Sequence, residues 1–333
     1  MNSRLTIFGS GNWALTLATV AAWSGTEVKM FVRRPALCDV LTRTRAHPEY
    51  LPHLCLSPRI SFTTDMAVAA EYSPHWLIVV PSQHMRSLAE GLRAYVLKGL
   101  YVVSAAKGLE DGTAFRMTEV LRDCWPGFEG ELGALSGPNL AYEISLGQPA
   151  ASVIAGRPEL FRTMAPLLGH ANIRLYEQSD ITGVELGGAL KNILAIAVGM
   201  ATASGLGANA EAAIMTRGLH EMGRLAVELG AQWTTLAGLS GLGDVVATAS
   251  SSRSRNRWLG QELAKGRSLS DILSSTTMVV EGVPTAYVAK RLGVRFHLPL
   301  PITTEVVEIF DGKPVSAAVH DLMHRARVQE FDF

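Results

Sequence analysis

Apolar positions in the first half of the chain fall into short runs separated by longer stretches of helical spacing. The runs at residues 5–8, 27–32, 76–80, 101–104, 134–136 and 151–154 predict strands. Residues 14–23 and 85–97 carry apolar side chains at helical intervals and predict helices between them. Strands that are apolar on both faces and alternate with helices form a parallel sheet covered on both sides. Pro81 ends the buried run Leu77-Ile78-Val79-Val80, turning the chain out at a sheet edge.

The pattern changes near Ser179 and Asp180. From residue 183 to 230 β-branched residues thin out, and Ala, Leu, Met and Gly recur at helical spacing. Further helices are expected at 259–265, 283–292 and 303–309, punctuated by Gly or Pro. The division predicts an α/β domain over residues 1–180, with a mostly parallel sheet and helices on both faces. An all-α domain over 181–333 follows it. A length of 333 residues agrees with two domains at roughly 150 residues each. No internal repeat and no low-complexity segment interrupts the pattern beyond a small serine cluster at 250–254.

Composition narrows the function classes. With 48% hydrophobic and 18% charged residues, the chain is not a disordered, solvating one. Thirty Lys+Arg balance thirty Asp+Glu, so no global field draws the protein to nucleic acid or anionic lipid. Any anion must therefore be held by local groups. The three cysteines, Cys38, Cys55 and Cys124, and the nine histidines lack metal-ligand spacing, so no metal is expected. Scattered, odd-numbered cysteines suggest a reducing compartment. The apolar start stops at Gly9, too short for a secretory signal core, and the run 193–203 falls short of the ~20 residues of a membrane span. A cytoplasmic protein without a membrane span is the expectation.

Between the first strand and the first helix stands Gly9-Ser10-Gly11-Asn12-Trp13-Ala14, a G-x-G-x-x-A pattern. Gly9 permits a tight turn, Gly11 lets a pyrophosphate approach the backbone, and Ala14 lets helix and strand pack closely. The helix N-terminus offers N–H groups and the positive end of its dipole to phosphates. Strand, turn, helix and second strand follow within about 30 residues, which is the dinucleotide-binding (Rossmann-like) arrangement. The other reading is a glycine-rich turn that binds nothing. After the second strand, where an NAD site carries an acid for the ribose hydroxyls, the chain has Arg33 and Arg34. Arginine pairs with a 2′-phosphate, so NADP(H) is expected in preference to NAD(H), unless these arginines are only solvated surface charges.

Later segments place polar residues where solvated loops would not need them. Ser104-Ala105-Ala106-Lys107-Gly108 and Ser136-Gly137-Pro138-Asn139-Leu140-Ala141 each follow a buried strand. Gly188-Ala189-Leu190-Lys191-Asn192-Ile193 puts a lysine inside an apolar helix, and Gly241-Leu242-Gly243-Asp244 and Ser254-Arg255-Asn256-Arg257 complete the set. With Thr216-Arg217-Gly218-Leu219, Val280-Glu281-Gly282 and Leu300-Pro301-Ile302, these segments resemble bacterial-type NAD(P)-dependent glycerol-3-phosphate dehydrogenase over nearly the whole chain.

The resemblance implies reversible NAD(P)H-dependent reduction of dihydroxyacetone phosphate to sn-glycerol 3-phosphate, a precursor of glycerophospholipids. It also implies a Rossmann domain and a helical domain with the active site in the cleft between them, and a homodimer. Lys191 matches the proton donor/acceptor. Hydride arrival at a ketone leaves a developing alkoxide, and desolvation lowers a lysine's pKa toward the neutral range that proton transfer needs. Lys107 matches a residue touching cofactor and substrate. Asp244 matches a substrate-site acid, where it could orient Lys191 or accept a hydroxyl hydrogen bond. Ser254, Arg255 and Asn256 match the substrate segment, with Arg255 also reaching the cofactor; a planar guanidinium with neutral donors beside it suits a phosphate. Gly137 and Asn139 occupy the substrate loop, Ala141 lies beside the cofactor, and Val279 and Glu281 correspond to later cofactor contacts.

Blander readings stand beside these: a snorkelling lysine at 191, an ordinary turn residue at 244, and a solvated basic loop at Arg253, Arg255 and Arg257. The chain departs from the family at Asn139-Leu140, where a small hydroxyl residue and Phe are usual, and at Ala208, where Asp is usual. Two rivals remain: another reductase on the same two-domain plan, and a nucleotide-sensing protein with a degenerate site. The phosphate clamp at 254–256 speaks against the first, and retention of Lys191 and Asp244 against the second. A nucleophile elbow is absent, since Gly238-Leu239-Ser240-Gly241 has the wrong spacing.

Overall fold

The structure, a computed structural model, describes residues 3–276, 278–326, 329 and 330. They form two compact units, one of residues 1–106 and 117–181, the other of 107–116 and 182–333. The short segment 107–116 thus departs from the contiguous division expected at 180/181: it follows a strand of the first unit but packs with the second.

The first unit is built on eight strands, β1 (Arg4–Phe8), β2 (Glu27–Phe31), β3 (Ile60–Thr63), β4 (His75–Ile78), β5 (Tyr101–Ser104), β6 (Glu131–Ser136), β7 (Ala150–Ala155) and β8 (Ile173–Gln178). Their order in the sheet is β3-β2-β1-β4-β5-β6-β7-β8. All neighbours pair in parallel except β6 and β7, which are antiparallel with Ser136 opposite Val153. The 3-2-1-4-5-6 order over the first six strands is that of a doubly wound nucleotide-binding fold, with its switch point between β1 and β4. Leu5, Ile7, Met30 and Leu77 are fully buried in the sheet. The helix Asn12–Trp23 is buried on all sides from Ala14 to Ala22; its two buried threonines, Thr16 and Thr19, donate to backbone carbonyls.

Two strands, β3 and β8, escape a reading based on apolar runs. Each lies at an end of the sheet, and β8 (Ile-Arg-Leu-Tyr-Glu-Gln) buries only its first residue fully. An edge strand does not need a continuous apolar sequence.

The second unit is helical and centred on the helix Ile181–Ala203, whose residues 183–201 are all buried. This helix has 23 residues and a mean hydropathy of 1.5 over its most apolar 18, long enough to span a bilayer. The apolar run of 193–203 was therefore only half of it. Burial of 89% of that window makes it the core of the unit. Helices Gly207–Glu228, Arg255–Ala264, Gly282–Arg295 and Pro301–Phe310 surround it. Gly260 lets the Arg255–Ala264 helix touch the central one: a Cβ there would lie 2.0 Å from the carbonyl oxygen of Ile196. Glu221, also buried, accepts hydrogen bonds from the backbone N–H groups of Ile302 and Thr303, both at 2.8 Å, and so caps Pro301–Phe310. Burial pushes its carboxyl pKa up despite those donors.

Candidate active site

In the first unit the expected cofactor residues all follow carboxyl ends of parallel strands. Gly9, at the end of β1, has φ +134°, and a Cβ on it would lie 2.2 Å from the carbonyl oxygen of Val79, the residue after β4. The switch point itself demands glycine here. Gly11 is different: a Cβ on it would meet nothing within 4 Å. No described protein atom crowds position 11, which leaves open space beside the turn. Gly11 caps the Asn12–Trp23 helix without any side-chain acceptor, so no cap side chain occupies the first turn's N–H groups, the kind of helix start that can receive an anion. The indole Nε1 of Trp13, on the same turn, is buried without a hydrogen-bond partner.

Arg33 and Arg34 follow β2 and are both exposed, with Arg34 capping the helix Pro35–Thr44. Their exposure is compatible with gripping a phosphate and equally with solvation. After β6, Gly137 is buried and Asn139 half-buried. The Asn139 Oδ1 accepts from the Ser152 hydroxyl at 2.7 Å, which fixes the amide, while its Nδ2 and the Ser136 hydroxyl are buried without partners. A buried donor left unmade costs about 1–3 kcal/mol. Ala141 opens the short helix Ala141–Ser145, and its carbonyl accepts from Thr16 at 3.2 Å, tying this loop to the first helix.

The second unit holds a charged cluster built from three separate segments. Lys191 lies in the middle of the central helix, and its Nζ donates to Asp244 Oδ1 at 2.7 Å and to Thr248 Oγ1 at 2.6 Å. Lys107 donates to the other carboxylate oxygen, Oδ2, at 2.5 Å. Lys191 is 7% exposed and Asp244 1%, so both readings of Lys191 as a snorkelling residue and of Asp244 as an ordinary turn residue fail. Asp244 begins the helix Asp244–Ser250 directly after a wide π-helical turn, Leu239–Gly243. Gly187, one turn before Lys191, sets the spacing: a Cβ there would lie 2.7 Å from the Ser240 carbonyl in that turn.

The electrostatics follow from this geometry. Burial pulls the Lys191 pKa down; Asp244 opposes it, and the positive charges of Lys107 and Arg255 reinforce it, leaving a value of about 8. Burial would raise the Asp244 carboxyl, but the two ammonium groups outweigh it and hold the pKa below the usual carboxylate range. Two cations share one anion, leaving a net positive centre with a lysine able to exchange its proton near neutral pH.

The remaining expected residues divide by what their side chains touch. Ser254 caps Arg255–Ala264, its Oγ accepting from the Arg257 N–H at 3.2 Å; its hydroxyl hydrogen stays available to a ligand. Arg255 is exposed, close enough to act on Lys191 through its charge. Asn256 is buried, and its amide is committed to the fold: Nδ2 donates to Asn192 Oδ1 at 2.8 Å and Oδ1 accepts from the Gly282 N–H at 3.0 Å. Asn192 in turn donates to the Lys107 carbonyl at 3.5 Å. Val279 is 40% exposed, and Glu281, half-buried, caps Gly282–Arg295 through its carbonyl.

Comparison with known proteins places this arrangement. Residues 4–161 match the family described as NAD-dependent glycerol-3-phosphate dehydrogenase N-terminus, and residues 180–320 its C-terminus. The chain belongs to the NAD-dependent glycerol-3-phosphate dehydrogenase family. Among its relatives, the glycerol-3-phosphate dehydrogenase [NAD(P)+] 1 of Salinibacter ruber is 40% identical over 331 residues, covering 98% of this chain and 97% of its own. The glycerol-3-phosphate dehydrogenase [NAD(P)+] of Moorella thermoacetica is 40% identical over 336 residues, covering 100% of this chain and 99% of its own. The crystal structure of glycerol-3-phosphate dehydrogenase from Coxiella burnetii superposes with a TM-score of 0.92 at 30% identity, covering 97% of this chain and 99% of that one. The family suggested by the motifs, and the Rossmann-like and helical architecture it implied, are those found.

Two features of the cluster were not read from the sequence. Thr248 joins Lys191 and Asp244, donating to Asp244 Oδ1 at 3.1 Å. Its signal was the i, i+4 spacing from Asp244 on one helix. Arg116 pairs with Glu185 at 2.6 Å, and nothing in the spacing of those two residues announces it.

Proposed function

We propose that this chain interconverts dihydroxyacetone phosphate and sn-glycerol 3-phosphate with NADP(H) or NAD(H), NADP(H) preferred, in the cytoplasm and as a homodimer. The observation that carries the reading is the buried Lys191–Asp244–Lys107 cluster in a chain of this family. A lysine poised near pH 8 in a buried, positively charged site serves a reaction that needs a proton at an oxygen and a phosphate held nearby.

Gly9, Ser10, Gly11, Asn12 and Trp13 hold the pyrophosphate of the dinucleotide on the first helix N-terminus, and Arg33 and Arg34 the 2′-phosphate. Ala141, Val279, Glu281, Arg255 and Lys107 line the rest of the cofactor. When bound, the nicotinamide supplies or accepts the hydride. Lys191 carries the proton that the substrate's C2 oxygen takes up on reduction and gives back on oxidation. Asp244 stays ionised and keeps the Lys191 ammonium aimed, with Thr248 fixing the same nitrogen from a second side. Lys107 places a second positive charge where the substrate anion binds. Gly137, Asn139, Ser254, Arg255 and Asn256 complete the substrate contacts; the buried Nδ2 of Asn139 gains in the substrate the acceptor it otherwise lacks.

Paired initial-rate kinetics test the proposal. Purified protein is expected to oxidise NADPH in the presence of dihydroxyacetone phosphate, and more efficiently than NADH. Arg33→Asp is expected to lower the NADPH/NADH ratio of kcat/KM by roughly 10- to 100-fold, the scale of a charge-assisted hydrogen bond replaced by repulsion. No turnover of dihydroxyacetone phosphate with either cofactor would overturn the function, and an unchanged ratio would remove Arg33 from the 2′-phosphate.

The pH dependence has a definite sign. Reduction needs the Lys191 ammonium, so its kcat falls as pH rises through about 8; oxidation needs the free amine, so its kcat rises through the same range. Profiles that fail to mirror one another in the two directions would count against Lys191. Stability follows separately: above about 8 the native lysine loses its proton while the unfolded one keeps it to about 10.5, so this group favours folding more as pH rises across that window.

A further inference from the structure

The segment 107–116 forms a closed turn within the second unit. Leu109 and Arg116 face each other as an antiparallel bridge, Glu110 N–H donates to the Phe115 carbonyl at 2.9 Å, and Ala114 N–H to the Glu110 carbonyl at 3.0 Å. Leu109 is 1% exposed and packs into the core that includes Leu190 and Ile193, the neighbours of Lys191. Lys107 stands two residues before Leu109. The bridge couples Arg116 to Leu109, and through it to the backbone that carries Lys107.

Arg116 is held by Glu185, Nη1 to Oε2 at 2.6 Å, with side chains only 13% and 4% exposed. Glu185 lies on the central helix six residues before Lys191, about 9 Å along the axis at ~1.5 Å per residue. A second ion pair from this turn, Asp111 with Arg291 at 2.6 Å, is exposed on both sides and contributes little. A carboxylate as buried as Glu185 needs a cation close by, so the Arg116 contact is strongly enforced.

We propose that the buried Arg116–Glu185 pair positions Lys107: it pins the turn 107–116 to the helix that carries Lys191, and so keeps a second ammonium on Asp244. The proposal rests on the reading of Lys107, Lys191 and Asp244 as the reacting site. Arg116 and Glu185 act through Lys107 and are positioning residues, not catalytic ones.

The consequence reaches Lys191. The groups acting on it are Asp244, Lys107 and Arg255, and Lys107 opposes its charged form. Freeing Lys107 from Asp244 removes a like charge and leaves the carboxylate to Lys191 alone, so the ammonium keeps its proton to higher pH. The Arg116→Gln enzyme is thus expected to raise the KM for dihydroxyacetone phosphate roughly tenfold, the scale of one charge-assisted contact to a phosphate. The alkaline limb of its reduction profile is expected to move up by about half a pH unit or more. A pair that serves stability alone would lower the Tm and leave both quantities where they are.

Three variants keep the outcomes apart. Lys107→Ala tests the site: if it changes neither KM nor the alkaline limb, the role given to Lys107 fails. If Lys107→Ala changes both while folded Arg116→Gln matches the wild type apart from Tm, the positioning proposal is overturned and the site stands. Glu185→Gln, which keeps the side-chain shape, is the second route should Arg116→Gln not fold. It is expected to shift KM and the limb in the same directions, and wild-type values in this variant overturn the proposal equally.

Discussion

Lys191→Ala is expected to bind NADPH normally and to turn over dihydroxyacetone phosphate about 10³-fold more slowly, within the range for loss of a general acid. The lysine is 7% exposed and donates two hydrogen bonds, of 2.7 Å and 2.6 Å, which hold its ammonium at one place in the cluster. Asp244 keeps Lys107 as a partner at 2.5 Å, which preserves the carboxylate and lets the variant fold. The glycine turn of the first unit is untouched, so a fluorescence titration with NADPH should return the wild-type Kd. Turnover within tenfold of wild type would remove Lys191 from proton transfer.

Asp244→Asn has a different signature. The substitution leaves two ammonium groups facing an uncharged amide that can accept from one and presents its own N–H toward the other. Removing one partner from a buried ion pair costs about 3–5 kcal/mol. Urea unfolding should register a loss of that order at neutral pH. Lys191 loses the one group that favours its charged form against burial, Lys107 and Arg255, so its pKa falls below about 8. The alkaline limb of reduction therefore moves to lower pH, opposite to the shift expected for Arg116→Gln, with turnover at pH 8 down by about 10²-fold or more. The carboxylate's own contribution follows the acid side: the native Asp244 pKa lies below 3.8, so the stability it confers is present above 3.8 and is lost as pH falls through the native value. An Asp244→Asn protein with wild-type stability and an unmoved limb would show that the carboxylate neither compensates nor orients the two lysines.

Much of the fold was legible because its signals are local. The run Leu5-Thr6-Ile7-Phe8, the turn from Gly9 to Ala14 and the helix behind it are contiguous, and their order alone dictates a strand, a phosphate-sized turn and a helix N-terminus. The central strands β1, β4 and β5 are apolar on both faces and could be read directly. The edge strands β3 and β8 could not, since polar residues such as Arg174 and Glu177 are tolerated where one face meets solvent. The central helix was underestimated because Gly187, Gly188 and Lys191 interrupt its apolar sequence. In the structure Gly187 is a point of close packing, and the lysine is paired with Asp244.

The amino-acid sequence by itself determined the two-part architecture, the nucleotide turn and the candidate lysines and aspartate, because each depends on residues adjacent in the chain or on motifs long enough to be specific. Tertiary structure alone decided which charges meet. Lys107, Lys191 and Asp244 lie on three segments, and only packing shows that one carboxylate serves both ammonium groups at 2.5 and 2.7 Å. Packing also gives the turn 107–116 to the helical unit and buries Arg116 against Glu185. The physical reason is the same in each case: the energy of a charge depends on its burial and its partners within a few ångströms, and neither is a property of sequence neighbours.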